Sequence, residues 1–98
     1  MPQTEFPFTL PMGYVDSEGN RHTEGMMRRA TAQDELLPMR DPRVQKNPSY
    51  FSIIVLARVV TKLGSVKTIT EQVIEDLFAT DFQYLQEFYN RINGRQEE

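Results

Sequence analysis

Hydrophobic and polar positions divide the chain into three zones of different periodicity. In EFPFTLP, Phe6, Phe8 and Leu10 alternate with Glu5, Pro7 and Thr9, the period-two pattern of a strand with one buried face. Pro7 has no N–H to donate to a ladder, so this strand belongs at a sheet edge. Tyr14 and Val15 lead into the polar SEGN, and RHTEGMMRR returns. This predicts a β-hairpin over 5–30, with Gly19 and Asn20 in its turn.

The pattern weakens over 31–47. Thr31, followed by Asp34 and Glu35, can start a short helical turn that Pro38 limits. Pro38, Pro42 and Pro48 then punctuate DPRVQKNP, which reads as an irregular connector with Arg40, Arg43 and Lys46 solvated.

Helical signals dominate 48–93. Asn47 can cap a helix that has Pro48 at its first position and Gly64 as its stop, with Tyr50, Phe51, Ile53, Ile54, Val55, Leu56, Val59, Val60 and Leu63 covering more than one face. A second, short helix starts at Thr68 with Glu71 in a capping box, or at the rival cap Thr70, and buries Val73, Ile74, Leu77 and Phe78. A third starts at Thr80 with Gln83, places Asp81 at the positive helix end, and runs to Asn93 and Gly94. Its inner stripe is Phe82, Leu85, Tyr89 and Ile92. Residues 94–98 are polar and are expected to fray.

The resulting fold is a single α+β domain over 1–98, an N-terminal β-hairpin or small antiparallel sheet packed against a three-helix C-terminal bundle. Composition agrees with a packed core: 39% of the 98 residues are hydrophobic and 26% charged, too apolar for a disordered chain. The net charge of −3 is spread evenly, with six basic and seven acidic residues before Pro48 and five and seven from there on. Neither half suits a phosphate backbone, and no nucleic-acid partner is expected. The longest apolar run, Ile53 to Ala57, falls far short of the ~20 residues that span a bilayer, and no basic-then-apolar leader precedes it. No membrane partner is expected, and the chain should stay in the compartment where it is made.

Candidate chemistry centres on DSEGNRHTE, Asp16 to Glu24, which places the one histidine beside three carboxylates. A calcium loop needs glycine sixth and glutamate twelfth; counted from Asp16 those positions hold Arg21 and Met27. A transition-metal site needs several convergent ligands, and the chain has neither a second histidine nor any cysteine. The segment reads as a polar hairpin tip. No GxSxG accompanies a serine, and Gly13, Gly19 and Gly25 belong to no phosphate-binding motif. Neither catalytic, cofactor-binding nor metal residues are assigned, and no cofactor is expected.

Binding candidates remain. Tyr84 and Phe88 flank the stripe of the third helix and either widen the core or, if exposed, mark a partner patch. Arg28 and Arg29 are either solvated at a strand end or positioned for an anion or an acidic partner.

The ordered series FTLPMGYVDSEGNRHTEGMMRRAT, DELLPMRDPRV, NPSYFSIIVLARVVTKLG and ITEQVIEDLFATDFQYLQEFYNRIN resembles the small tail assembly proteins, or tail assembly chaperones, of contractile-tailed phages and phage-tail-like contractile injection systems. The resemblance spans Phe6 to Asn93. It rests on LPxGYxDxxG, on the Arg-x-Thr-x-x-Asp-Glu element at Arg29 to Glu35, on LG after the apolar helix, and on IT before two short helices with Leu77, Asp81 and Leu85. It implies a non-enzymatic cytoplasmic assembly factor of the bacterial host or producing cell, binding a tape-measure, tube or baseplate protein. Self-association and retention in the particle are left open. The alternative is a small peptide-binding adaptor or a minor structural component of the same particle.

Overall fold

The computed structural model describes residues 4–95. The chain is α+β, with β1 (Glu5–Val15), β2 (Arg21–Arg28), α1 (Ala32–Met39), α2 (Pro42–Lys46), α3 (Tyr50–Val59), β3 (Val60–Leu63), α4 (Glu71–Glu75) and α5 (Ala79–Ile92). The predicted alternation in β1 is realised: Phe8 and Leu10 are buried, Phe6 is half-buried, and Glu5, Pro7 and Thr9 face solvent. The hairpin closes where the Asp16 N–H donates to the Asn20 carbonyl at 2.9 Å and the Gly19 N–H to the Asp16 carbonyl at 3.0 Å. Asp16 Oδ1 tightens it by accepting the amides of Glu18 and Asn20, each at 2.9 Å. Sheet order is β1-β2-β3, so Pro7 does lie on an edge strand.

The third strand departs from the sequence reading. The helix expected over 48–63 starts at Tyr50 and ends at Val59, and Val60–Leu63 pairs antiparallel with β2, matching Val60 to Met27 and Leu63 to Gly25. Val59, Val60 and Thr61 are β-branched, and such residues lose side-chain freedom in a helix while packing well on a sheet. The open edge of β2 completes the reason, since its backbone groups need partners. Val60 and Leu63 then enter the core at 3% and 1% exposure. Gly64 therefore follows a strand and is no helix stop. It has φ +54, and its N–H donates to the Glu24 carbonyl at 2.7 Å.

The expected connector over 31–47 is mostly helical. Thr31 donates its N–H to Asp34 Oδ2 at 2.7 Å and opens α1, while Pro38 sits in the last turn and α1 ends one residue beyond it. Pro42 takes the first position of α2, where its missing N–H costs no helical bond, and Asp41 caps that helix by accepting the Arg43 N–H at 2.8 Å. At α4 the capping residue is Thr70, whose Oγ1 accepts the Val73 N–H at 3.3 Å, and Thr68 has no part in it.

The core joins Phe8, Leu10 and Met27 of the hairpin to Val55, Leu56 and Val59 of α3, Leu63 of β3, Ile74 of α4, and Leu85, Phe88 and Tyr89 of α5. Of the C-terminal helices, α5 packs on β1 and α3 on β3, while α4 packs on α3. Of the expected frayed tail, Arg95 is ordered, donating its N–H to the Asn90 carbonyl at 2.7 Å; residues 96–98 lie outside the described residues.

Candidate interaction surface

On α1 the usual arrangement of an amphipathic helix is reversed. Asp34 is 2% exposed, whereas Leu36, Leu37 and Met39 are 53%, 44% and 59% exposed. Three cations explain the inward turn of the acids. Arg28 makes a two-point contact with the Asp34 carboxylate, Nη1 to Oδ2 at 2.7 Å and Nη2 to Oδ1 at 3.0 Å. Arg58 of α3 adds Nε to Oδ1 at 3.0 Å. Beside this pair, Glu35 accepts a hydrogen bond from the Tyr89 hydroxyl at 2.5 Å and pairs with Arg95 at 2.8 Å.

The electrostatics follow from these contacts. Arg28 beside Asp34 holds its carboxyl well below the usual aspartate range, with help from the Thr31 amide and Arg58 and against the opposing effect of burial. Arg95 and then the Tyr89 hydroxyl lower Glu35. Burial, reinforced by the Glu35 charge, raises Tyr89. Both carboxylates are thus ionised and occupied, leaving α1 to present apolar side chains outward.

The residues singled out from sequence fall elsewhere. Phe88 is buried and meets Phe8 edge-on at 5.8 Å between ring centroids, so it is a core residue and not a surface anchor. Tyr84 is half-buried and stacks on Phe88 at 6.0 Å, widening the apolar stripe. Arg28 is committed to Asp34. Arg29 donates from Nε to the Ile92 carbonyl at 2.9 Å and lies 4.9 Å over the Phe6 ring, tying the end of β2 to α5. The two arginines act within the fold, and the four candidates do not form one surface.

His22 is also drawn inward. It is 8% exposed, bonds Asp16 Oδ2 through Nε2 at 2.9 Å and stacks near Tyr14, while its Nδ1 lies 3.4 Å from the Ser65 amide. Among the described residues, no group of three or more His, Asp and Glu side chains is arranged to hold a metal ion. Among the described residues no helix is long and apolar enough to cross a membrane.

A cleft of about 150 Å³ lies between α3 and α5, lined by Phe51, Ser52, Val55, Gln86, Tyr89 and Arg95. A wider and shallower hollow of about 370 Å³ is lined by Asn47, Ser49, Tyr50, Ile53, Glu75 and Phe82. What the sequence reading missed is the apolar face of α1. Its signal is LLPM itself, three large apolar residues within four positions that continue no core stripe.

Compared with family models, with curated proteins and with solved structures, the chain finds no significant match in any of the three.

Proposed function

We propose that the protein is a non-enzymatic assembly factor that binds a structural component of a contractile phage tail or phage-tail-like particle, a tape-measure, tube or baseplate protein, during assembly. The ordered resemblance over Phe6 to Asn93 motivates the particle. The single structural observation that supports a binding role is α1, whose carboxylates are held inward by arginines while Leu36, Leu37 and Met39 are left in solvent. A small domain with few apolar residues to spare gains no core from this arrangement, and exposed contiguous apolar side chains are characteristic of protein contact sites. The Arg29 to Glu35 element of the resemblance supplies Thr31, Asp34 and Glu35, the residues that set α1 in this orientation.

The test is co-expression with each tape-measure, tube and baseplate protein encoded beside the gene, followed by affinity purification of the tagged chain. Recovery of one such protein at a stoichiometric level is expected; recovery of none at any stage of assembly overturns the reading.

A further inference from the structure

The outer face of α1 sits in a locally cationic setting. From Arg28 to Lys46 the chain has five basic and three acidic residues, against a net −3 overall. Each of the three acids has an arginine: Asp34 has Arg28 and Arg58, Glu35 has Arg95, and Asp41 has Arg43. Among the described residues Arg40 and Lys46 make no ion pair, and both are exposed. Arg40 follows Met39 and lies one helical turn beyond Leu36, so it borders the apolar face directly. Lys46 ends α2, the helix that follows α1 after two residues.

We infer that Leu36, Leu37 and Met39, edged by Arg40 and Lys46, form the docking surface for a short acidic amphipathic segment of a partner protein, its apolar side chains on the leucines and methionine and its carboxylates on the two cations. This rests on the reading of the chain as a binding protein and names the chemistry of what it binds. Charge selects this occupant over a second copy. In a two-fold contact the same patch meets itself, so Arg40 and Lys46 would find a second cationic patch whose acids, Asp34, Glu35 and Asp41, already have arginine partners. Size agrees, because three side chains supply only a small part of the ~800 Å² per partner buried by a standard stable interface between folded surfaces. A short helix laid on a few anchors needs far less.

The probe is a synthetic helical peptide with leucines at i, i+3, i+4 and i+7 and glutamates on the flanks, labelled for fluorescence anisotropy and titrated with the full chain. A version with every glutamate replaced by lysine is the control. The acidic peptide is expected to bind at least tenfold more tightly than the lysine version, with affinity that falls as salt rises. Leu36→Glu with Met39→Glu should weaken it tenfold or more, and Arg40→Glu with Lys46→Glu should reverse the preference between the two peptides. Equal binding of both peptides overturns the inference, as does binding that neither double variant changes. A dimer in sedimentation equilibrium that Leu36→Glu with Met39→Glu dissolves also overturns it, in favour of self-association. The outcome is separable from that of the assembly reading. Peptide selectivity without any tail protein in the purification removes the tail assignment alone, whereas a tail protein retained equally by wild type and the Leu36→Glu/Met39→Glu variant removes this surface alone.

Discussion

Asp81 Oδ2 accepts the backbone N–H of Gly13 at 2.9 Å across 68 residues of sequence, inside the protein. Its other oxygen accepts the Met12 N–H at 2.9 Å, and the side chain is fully buried. A residue expected to complement the positive end of α5 therefore reaches out of its helix and fastens the stretch of β1 where the register with β2 shifts, between Thr9 and Tyr14. At that irregularity the two amides need an acceptor, and Asp81 supplies both.

Removing it strands both amides. Asp81→Ala is expected to lower stability by about 2–4 kcal/mol, from one buried and one part-buried donor left without acceptors. Asp81→Asn keeps one carbonyl acceptor and should lose about half as much. Urea unfolding followed by circular dichroism checks the order, and equal losses in the two variants would refute the two-oxygen clamp.

Asp34 should govern part of the acid limb of stability. Its folded pKa is depressed by Arg28, Thr31 and Arg58, so its contribution is complete above the ordinary aspartate value of about 4 and is lost as pH falls through the depressed folded value. Glu35, lowered by Arg95 and Tyr89, acts in the same direction. Asp34→Asn should therefore give a flatter loss of stability below pH ~4 than wild type. At neutral pH Asp34→Ala should cost about 2–4 kcal/mol, less than a fully buried ion pair because both arginines retain solvent contact.

Gly64 and His22 should be coupled. A Cβ on Gly64 would lie 2.3 Å from His22 Nδ1, and φ +54 is unfavourable for alanine. Gly64→Ala is expected to destabilise by about 2–4 kcal/mol, of which roughly 1 is backbone conformation. His22→Ala removes the ring, the nearest part of the obstacle, and leaves only its Cβ at 2.7 Å, so the double variant should be more stable than the sum of the single losses predicts. A double-mutant cycle measures this, and strict additivity would show that the contact is not what limits position 64.

Exposure on α1 and burial on α5 predict opposite mutational costs. Leu36→Gln and Met39→Gln should each change stability by no more than about 0.5 kcal/mol, as exposed substitutions do. Phe88→Ala should cost about 3–5 kcal/mol, since it empties a buried aromatic site against Phe8. Thermal melts of the three variants distinguish a spare surface from a core position.

Much of the architecture is legible in local pattern. Phe6, Phe8 and Leu10 on one side of β1, the turn at Gly19, and Leu85 and Tyr89 at helical spacing each carry their own period, and each lies where that period places it. The reading fails where a residue has two locally acceptable roles. Val60 to Leu63 continues an apolar helix equally well as a run of residues, and only the unpaired edge of β2 makes it a strand. Thr80 and Gln83 match a capping box, yet Phe78 occupies the N-cap of α5 without a side-chain bond, and Asp81 is spent on β1.

The candidate surface shows the same division. The sequence by itself determined the α+β class, the hairpin, three C-terminal helices and the apolar residues available to fill a core, because these follow from periodicities of a few residues and from turn chemistry. Only the tertiary structure decided that Phe88 faces inward and Leu36 outward. The reason is that Arg28, Arg58 and Arg95, from three distant parts of the chain, converge on Asp34 and Glu35 and fix the rotation of α1, and no local pattern encodes where those cations will meet.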